Sequence, residues 1–172
     1  MRIPCAVLVL FVATSALAQK ETGPKLIEFT SESGKYKVLL PGKPTEENQT
    51  VKTAIGDIKV SLQVVEVAKD LAVIVAYNEY PEEAKNKAPA ILKGIKEGLA
   101  KADKVKTLDD ITFGKDKSPG LAFHIARENK NEEKGRVLLV GNKLYQVRVH
   151  GSAAKIADPS TDKIIESFTL TK

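Results

Sequence analysis

The stretch Arg136–Gly151, RVLLVGNKLYQVRVHG, predicts two antiparallel strands joined by a tight turn at residues 141–142. Both arms are rich in β-branched and apolar residues, and glycine followed by asparagine suits a hairpin turn. Side chains alternate between the two faces of a strand, so Gln146, Arg148 and His150 share one face of the second arm. The stretch therefore predicts a sheet built from hairpins, with one polar row on it.

Further extended runs, separated by turn-forming residues, precede this hairpin. They lie near residues 26–40, 58–64, 71–80, 104–113 and 119–128. The run at 71–80, LAVIVAYNEY, is apolar on both faces and is therefore expected at the centre of the sheet. A turn is predicted at Gly56-Asp57 and a loop at 41–48, where Pro41 and Pro44 cannot donate ladder hydrogen bonds. Short connections between the runs predict an antiparallel meandering sheet.

The hydrophobic period becomes helical between about residues 86 and 101, which predicts one long central helix. Gly94 and Gly98 border its apolar stripe, and each glycine costs about 1 kcal/mol relative to alanine in a helix interior. We therefore expect them to permit a close approach to the sheet. A short C-terminal helix, capped by Asp158 or Ser160, is predicted within ADPSTDKIIESF. The fold class expected is α+β, with both helices packed on the sheet.

The N-terminal segment has the pattern of a secretory signal. Arg2 precedes a short apolar run, and small residues end at Ala18. The predicted organisation is a signal peptide at 1–18, a flexible leader at 19–25 and a single α+β domain at 26–172. The apolar run is shorter than the roughly 20 residues that span a bilayer. We expect export to the periplasm or the exterior, without a membrane anchor.

Composition narrows the possible chemistry of the mature chain. Cys5 is the only cysteine and lies in the predicted signal, which leaves no thiol for disulfides, nucleophilic catalysis or metal binding. Without Arg2, 26 basic and 22 acidic side chains remain, and lysines alternate with acidic residues along the chain. Single-stranded nucleic acid would also require aromatic stacking platforms, but the sequence has no tryptophan. A solvated surface and no nucleic-acid partner are expected.

Candidate catalytic groups are few, because the chain has only two histidines, His124 and His150. No G-x-S-x-G motif accompanies them. His124, within LAFHIAR, is interpreted as a structural histidine, with a catalytic base as the alternative. The two histidines could become neighbours on adjacent strands and bind a metal, but the acidic pairs Asp109-Asp110 and Glu132-Glu133 are interpreted as exposed turn residues. The sequence thus predicts no enzyme, no metal site and no cofactor.

The polar row of Gln146, Arg148 and His150 is the candidate binding site. A guanidinium group is a planar, two-pronged donor that suits a carboxylate or phosphate. The alternative is a solvated sheet face with no ligand.

Four segments, in this order, carry a resemblance to an uncharacterised group of exported bacterial proteins: FTSESGKYKVLLPGKP, VIVAYNEYP, GRVLLVGNKLYQVRVHG and DKIIESFTL. The layout over residues 26–170 also resembles the PsbP-like fold. This resemblance implies an antiparallel sheet with helices on both sides, export, and a binding or accessory role. It assigns no functional residue to this chain.

Three functional hypotheses follow. The first is an exported, non-catalytic binding or accessory domain whose partner is a protein or a small anionic ligand. The second is a small-molecule or lipid carrier with its pocket between the sheet and the long helix. The third is a hydrolase of unrecognised type.

Overall fold

The computed structural model describes residues 24–53, 56–82, 87–127 and 130–171. The predicted signal peptide, 1–18, lies outside these residues, as does most of the predicted leader. Within the described part of the chain, no helix has both the length and the apolar character needed to cross a membrane.

Ten strands and three helices, numbered in chain order, make up the described structure. The strands are β1 (Ile27–Ser31), β2 (Tyr36–Leu40), β3 (Thr45–Thr53), β4 (Gly56–Ala68), β5 (Leu71–Glu79), β6 (Lys104–Phe113), β7 (Ser118–Ala126), β8 (Asn131–Val140), β9 (Lys143–Ser152) and β10 (Thr169–Leu170). The helices are α1 (Ala88–Ala100), α2 (Ala153–Ile156) and α3 (Pro159–Glu166).

The strands form two antiparallel sheets. The main sheet has seven strands in the order β3-β4-β5-β9-β8-β7-β6, and a small sheet has the order β1-β2-β10. The chain lays down β3, β4 and β5 as one meander and passes through α1 to the far edge. It then returns through β6, β7 and β8 to place β9 beside β5. The predicted α+β class with an antiparallel sheet is confirmed.

The opening hairpin has the predicted turn. Val140 pairs with Lys143, and Gly141 between them has a φ of +62°, a backbone conformation that glycine adopts without strain. The predicted turn at Gly56-Asp57 is wrong, because these residues already pair with Thr53 and Lys52 inside the β3–β4 ladder.

The predicted loop at 41–48 is also partly wrong, because β3 begins at Thr45. This strand, TEENQTVKT, lies at the edge of the main sheet and is exposed along its described side chains. An edge strand exposed on both faces does not need the alternation of apolar and polar residues by which strands are recognised.

The central helix occupies nearly the predicted residues, with 13 residues from Ala88 to Ala100. This is close to the average length of a helix, so the expectation of a long helix is not confirmed. The expected close approach at Gly94 and Gly98 is wrong. Both glycines are exposed, and a β-carbon at either position would meet no atom within 4 Å.

The two faces of the main sheet are covered differently. The inner face packs against the small sheet, α2 and α3, and the helix face packs against α1. Buried side chains of the inner-face core include Tyr36, Val38, Leu40, Val73, Val75, Tyr145, Val147, Val149, Ile164, Ile165 and Phe168. Those of the helix-face core are Leu99, Leu121, Phe123, Ile125, Val137, Leu139 and Leu144. Helices therefore lie on both sides of the sheet.

Hydrogen bonds from two tyrosine hydroxyl groups connect the small sheet to the main sheet. Tyr36, which is fully buried, donates a hydrogen bond to Gln63 Oε1 at 2.5 Å. Tyr145 donates to the backbone carbonyl of Gly34 at 2.9 Å. Burial raises the pKa of both phenols, that of Tyr145 to about 12, so both remain donors at neutral pH.

Candidate functional site: a half-covered row on the helix face

The three predicted site residues lie on the helix face of β9. Gln146 pairs with Val137 of β8, and His150 pairs with Glu133. Arg148 lies between them, opposite Gly135 of β8 on one side and Ile74 of β5 on the other. All three are partly exposed. The structure thus brings them into one row, as the alternation in the sequence indicated.

Arg148 is held by neighbours on its own strand and on β8. Its Nη1 donates to Glu133 Oε1 at 3.0 Å, and its Nη2 donates to Gln146 Oε1. Its guanidinium carbon lies 5.8 Å from the ring centre of Phe123, within cation–π range. Its Nε is buried and has no acceptor among the described residues. The side chain retains 29% of its exposure, so part of the guanidinium group reaches solvent.

Strands β8 and β9 approach each other closely beside Arg148 because Gly135 has no β-carbon. A β-carbon there would lie 2.3 Å from the Val147 carbonyl oxygen and 3.0 Å from Cζ of Phe123. Real β-carbons do not approach other atoms so closely, so the position requires glycine. The backbone of β8 therefore lies close to β9 at the position of Arg148.

Glu133 is the acidic centre of the site. Its Oε2 accepts from Arg127 Nη2 at 3.1 Å while its Oε1 accepts from Arg148, and only 9% of its side chain is exposed. A buried carboxylate is tolerated when it is paired, and this one has two guanidinium partners. Arg127, Arg148 and Glu133 together carry a formal charge of +1. The cluster therefore remains cationic although both guanidinium groups pair with Glu133.

Glu132 lies on the opposite face and forms a second ionic cluster. Its Oε2 is 2.6 Å from His124 Nε2, and Lys106 Nζ donates to its Oε1. A β-bulge between Val105 and Thr107 directs Lys106 toward this carboxylate. The hydrogen bond from Lys106, and then that from His124, lowers the pKa of Glu132 although burial opposes the shift. His124 therefore has a carboxylate partner on the neighbouring strand.

The interpretation of the acidic pairs as turn residues is wrong. Glu132 and Glu133 are consecutive residues of β8 and are both buried, and Asp109 and Asp110 lie within β6. Consecutive strand residues face opposite sides, so each glutamate meets a different set of basic side chains. The hairpin turn could have shown this, because counting back from Val140 and Lys143 places Glu133 opposite His150 and next to Arg148.

The two histidines cannot share an ion. His124 pairs with Lys134, which pairs with buried Val149 of the inner face, whereas His150 is on the helix face. His150 Nε2 lies 3.4 Å from Asn131 Nδ2. In the part of the chain that the structure describes, no group of three or more histidine, cysteine or acidic side chains could hold a metal ion.

The described residues cover only half of the helix face. Helix α1 contacts mainly β6 and β7, whereas Leu62 and Val64 of β4 and Ile74 of β5 remain partly exposed. Register aligns Arg148 with Ile74 and Ile74 with Val64, across three adjacent strands. We call Arg148, Ile74 and Val64 the open row. Neighbouring strands are about 4.8 Å apart, so the row is about 10 Å long.

An open cleft lies at the far end of the open row. Its volume is about 470 Å³, and its lining residues are Lys43, Thr45, Glu47, Val64, Val65 and Glu66. The row thus joins a cationic end at β9 to an apolar middle and a recess at β3 and β4.

The fold is PsbP-like. The chain is similar to the solution structure of cyanobacterial PsbP, CyanoP, from Synechocystis sp. PCC 6803, with a TM-score of 0.52 and 12% identity. The match covers 88% of this chain and 96% of CyanoP. A protein of unknown function from Pseudomonas aeruginosa, PA94, matches with a TM-score of 0.35 and 6% identity, over 80% of this chain and 90% of its own. No family model matches the chain, and no curated protein matches it in sequence.

Proposed function

We propose that the chain is an exported, non-catalytic binding domain that holds an anionic group of its partner on the open row. The observation that carries this proposal is the half-covered helix face, where partly exposed Ile74 and Val64 adjoin the Arg148 guanidinium. An apolar strip rimmed by polar groups is typical of a binding surface. Export is supported by the signal pattern of the N-terminal segment.

The groups in the row favour binding over catalysis. Arg148 and Gln146 supply hydrogen-bond donors for a ligand. The Glu132–His124 pair lies on the other side of the sheet and so cannot act on a ligand held at Arg148. This separation supports a role in recognition rather than in bond cleavage.

The carrier hypothesis, with a ligand between the sheet and α1, has less support. Buried Leu99 of the helix packs there in one cluster with Phe123 and Ile125 of β7. Gly94 and Gly98 are exposed rather than facing the sheet. The open row is the better location for a ligand.

A comparison of two arginine variants tests the proposal. The protein, expressed with its complete sequence and purified after export, would be immobilised and exposed to the exported fraction of its own cells. Arg148→Ala is expected to lose the captured partner. Arg136→Ala is the matched control, because Arg136 also lies in the main sheet, is 33% exposed and pairs with Glu166 at 3.6 Å.

The control separates recognition from folding. Circular dichroism would first establish that both variants are folded at the temperature of the assay. If both variants then capture the same proteins as the wild type, the open row is not the binding surface.

A further inference from the structure

We infer that the open row binds a carboxylate carrying an unbranched apolar chain, with its head on Arg148 and its chain over Ile74 and Val64. This inference rests on the proposed function and names the chemical class of the ligand. Three observations support it independently: the guanidinium group of Arg148, the apolar strip of Ile74 and Val64, and the acidic side chains at the far end of the open row.

The position of the ligand's carboxylate head is assigned from the guanidinium group of Arg148. This group already binds one carboxylate, that of Glu133, at 3.0 Å, so its geometry suits this class of acceptor. Its exposed part, together with Arg127, retains a positive charge after Glu133 is counted. A single carboxylate would neutralise the cluster, whereas a dianion such as inorganic phosphate would leave it negative.

The position of the ligand's apolar chain is assigned from the register of the strands. Ile74 and Val64 continue from Arg148 in a straight line of about 10 Å, which is about the length of an eight-carbon chain. The cleft of about 470 Å³ begins at Val64 and gives room for the end of such a chain. Burial of a methylene group strengthens binding about fourfold, so this strip should discriminate by chain length.

The acidic side chains at the far end determine the orientation. Glu47 and Glu66 line the cleft, and Lys43 is the one basic residue among its described lining residues. A carboxylate head at that end would be repelled by two like charges. It is therefore directed to Arg148 of β9 and to Arg127, which follows β7.

Calorimetric titration of the protein purified after export tests the inference, with sodium octanoate, sodium acetate and 1-octanol as probes. Octanoate has six more methylene groups than acetate. If half of them are buried, it binds about 60-fold tighter than acetate. It is also expected to bind at least tenfold tighter than octanol, which lacks the charge. Equal binding of octanoate and octanol, or of octanoate and acetate, would overturn the inference.

Two variants locate the bound octanoate. Ile74→Glu places a carboxylate under the apolar chain and is expected to abolish binding. Ile27→Glu is its control, because Ile27 is an exposed apolar residue of the small sheet. Glu133→Gln removes the internal carboxylate that competes for Arg148 and is expected to tighten octanoate binding about tenfold. A folded Ile74→Glu protein that binds octanoate like the wild type, or a Glu133→Gln protein with no gain, contradicts the inference.

Failure here is distinguishable from failure of the proposed function. Partner capture that depends on Arg148, without octanoate binding, would overturn only the assignment of the ligand class. Capture that is indifferent to Arg148 would overturn the binding surface itself.

Discussion

Glu133 Oε1 accepts a hydrogen bond from Arg148 Nη1 at 3.0 Å, which joins two central strands by an ion pair on the half-covered face of the sheet. The carboxylate is buried and the guanidinium is not, so the two partners depend on each other unequally. Glu133 requires a cationic partner because its carboxylate is buried away from water. Arg148 can exchange part of its solvation for a ligand.

Removal of Arg148 should therefore destabilise the fold. Arg148→Ala leaves the buried Glu133 with Arg127 alone, and loss of one partner of a fully buried pair costs about 3–5 kcal/mol. Because Arg148 is 29% exposed and Arg127 remains, we expect a decrease of about 2 kcal/mol in the free energy of unfolding, measured with urea.

A double-mutant cycle checks this coupling. The Arg148→Ala, Glu133→Ala double variant should lose less stability than the sum of the two single variants, because no buried charge is left unpaired. Arg136→Ala removes an ion pair with the well-exposed Glu166 and should cost less than about 1 kcal/mol. Strict additivity of the Arg148 and Glu133 effects would show that the ion pair is not coupled in solution.

The two glycines Gly135 and Gly94 should respond to alanine in opposite directions. A β-carbon at Gly135 would collide with the Val147 carbonyl oxygen at 2.3 Å, so Gly135→Ala should destabilise by about 3 kcal/mol. A β-carbon at Gly94 meets nothing within 4 Å in the exposed part of α1, so Gly94→Ala should stabilise by about 0.5–1 kcal/mol. Thermal unfolding of both variants measures the signs, and a destabilised Gly94→Ala protein would contradict the description of α1 as open on that side.

The sequence predicted local features of the fold better than contacts between distant segments. The β8–β9 hairpin, its polar row and the C-terminal helix capped by Asp158 follow from short-range patterns, and the structure contains each of them. The adjacency of β9 and β5 could not be predicted, because these strands are separated by α1 and three further strands. Without that adjacency, the alignment of Arg148 with Ile74 has no signal in the sequence.

The buried acidic pair was missed for a different reason. Charged pairs usually indicate exposed turns, and Glu132-Glu133 follows a run of polar residues. Basic side chains from other strands compensate each buried carboxylate. Lys106 of β6 and His124 of β7 contact Glu132, whereas Arg148 of β9 and Arg127 after β7 contact Glu133. Such compensation depends on strand order, which composition does not reveal.

Stability should fall in acid because of Glu132. Its pKa is held below the ordinary value of 4.5, chiefly by the hydrogen bond from Lys106 and then by that from His124. A carboxyl group with a lowered pKa in the folded state contributes stability above its unfolded pKa and loses it as the pH falls through the folded pKa. The contribution should therefore be complete at pH 6 and should disappear progressively below about pH 4.5.

Comparison of two glutamine variants isolates this contribution. Urea unfolding of Glu132→Gln between pH 6 and pH 3 should show a shallower loss of stability than the wild type. Glu32→Gln is the control, because the Glu32 side chain is 88% exposed and makes only a long contact of 3.8 Å with Lys35. Parallel curves for the wild type and Glu132→Gln would show that this carboxylate is not the group responsible.

The hydroxyl of Tyr36 should contribute to stability through the polar group that it satisfies. It donates to Gln63 Oε1 at 2.5 Å, and Gln63 Nε2 in turn donates to Ser61 Oγ at 2.8 Å, all within the buried interface of the two sheets. Tyr36→Phe keeps the packing but leaves the buried Gln63 carbonyl without this donor, which should cost about 1–3 kcal/mol. The double variant Tyr36→Phe, Gln63→Leu replaces both partners by apolar groups and should recover part of that loss. If chemical denaturation shows the double variant to be less stable than the sum of the single changes predicts, the hydrogen bond does not account for the effect of Tyr36.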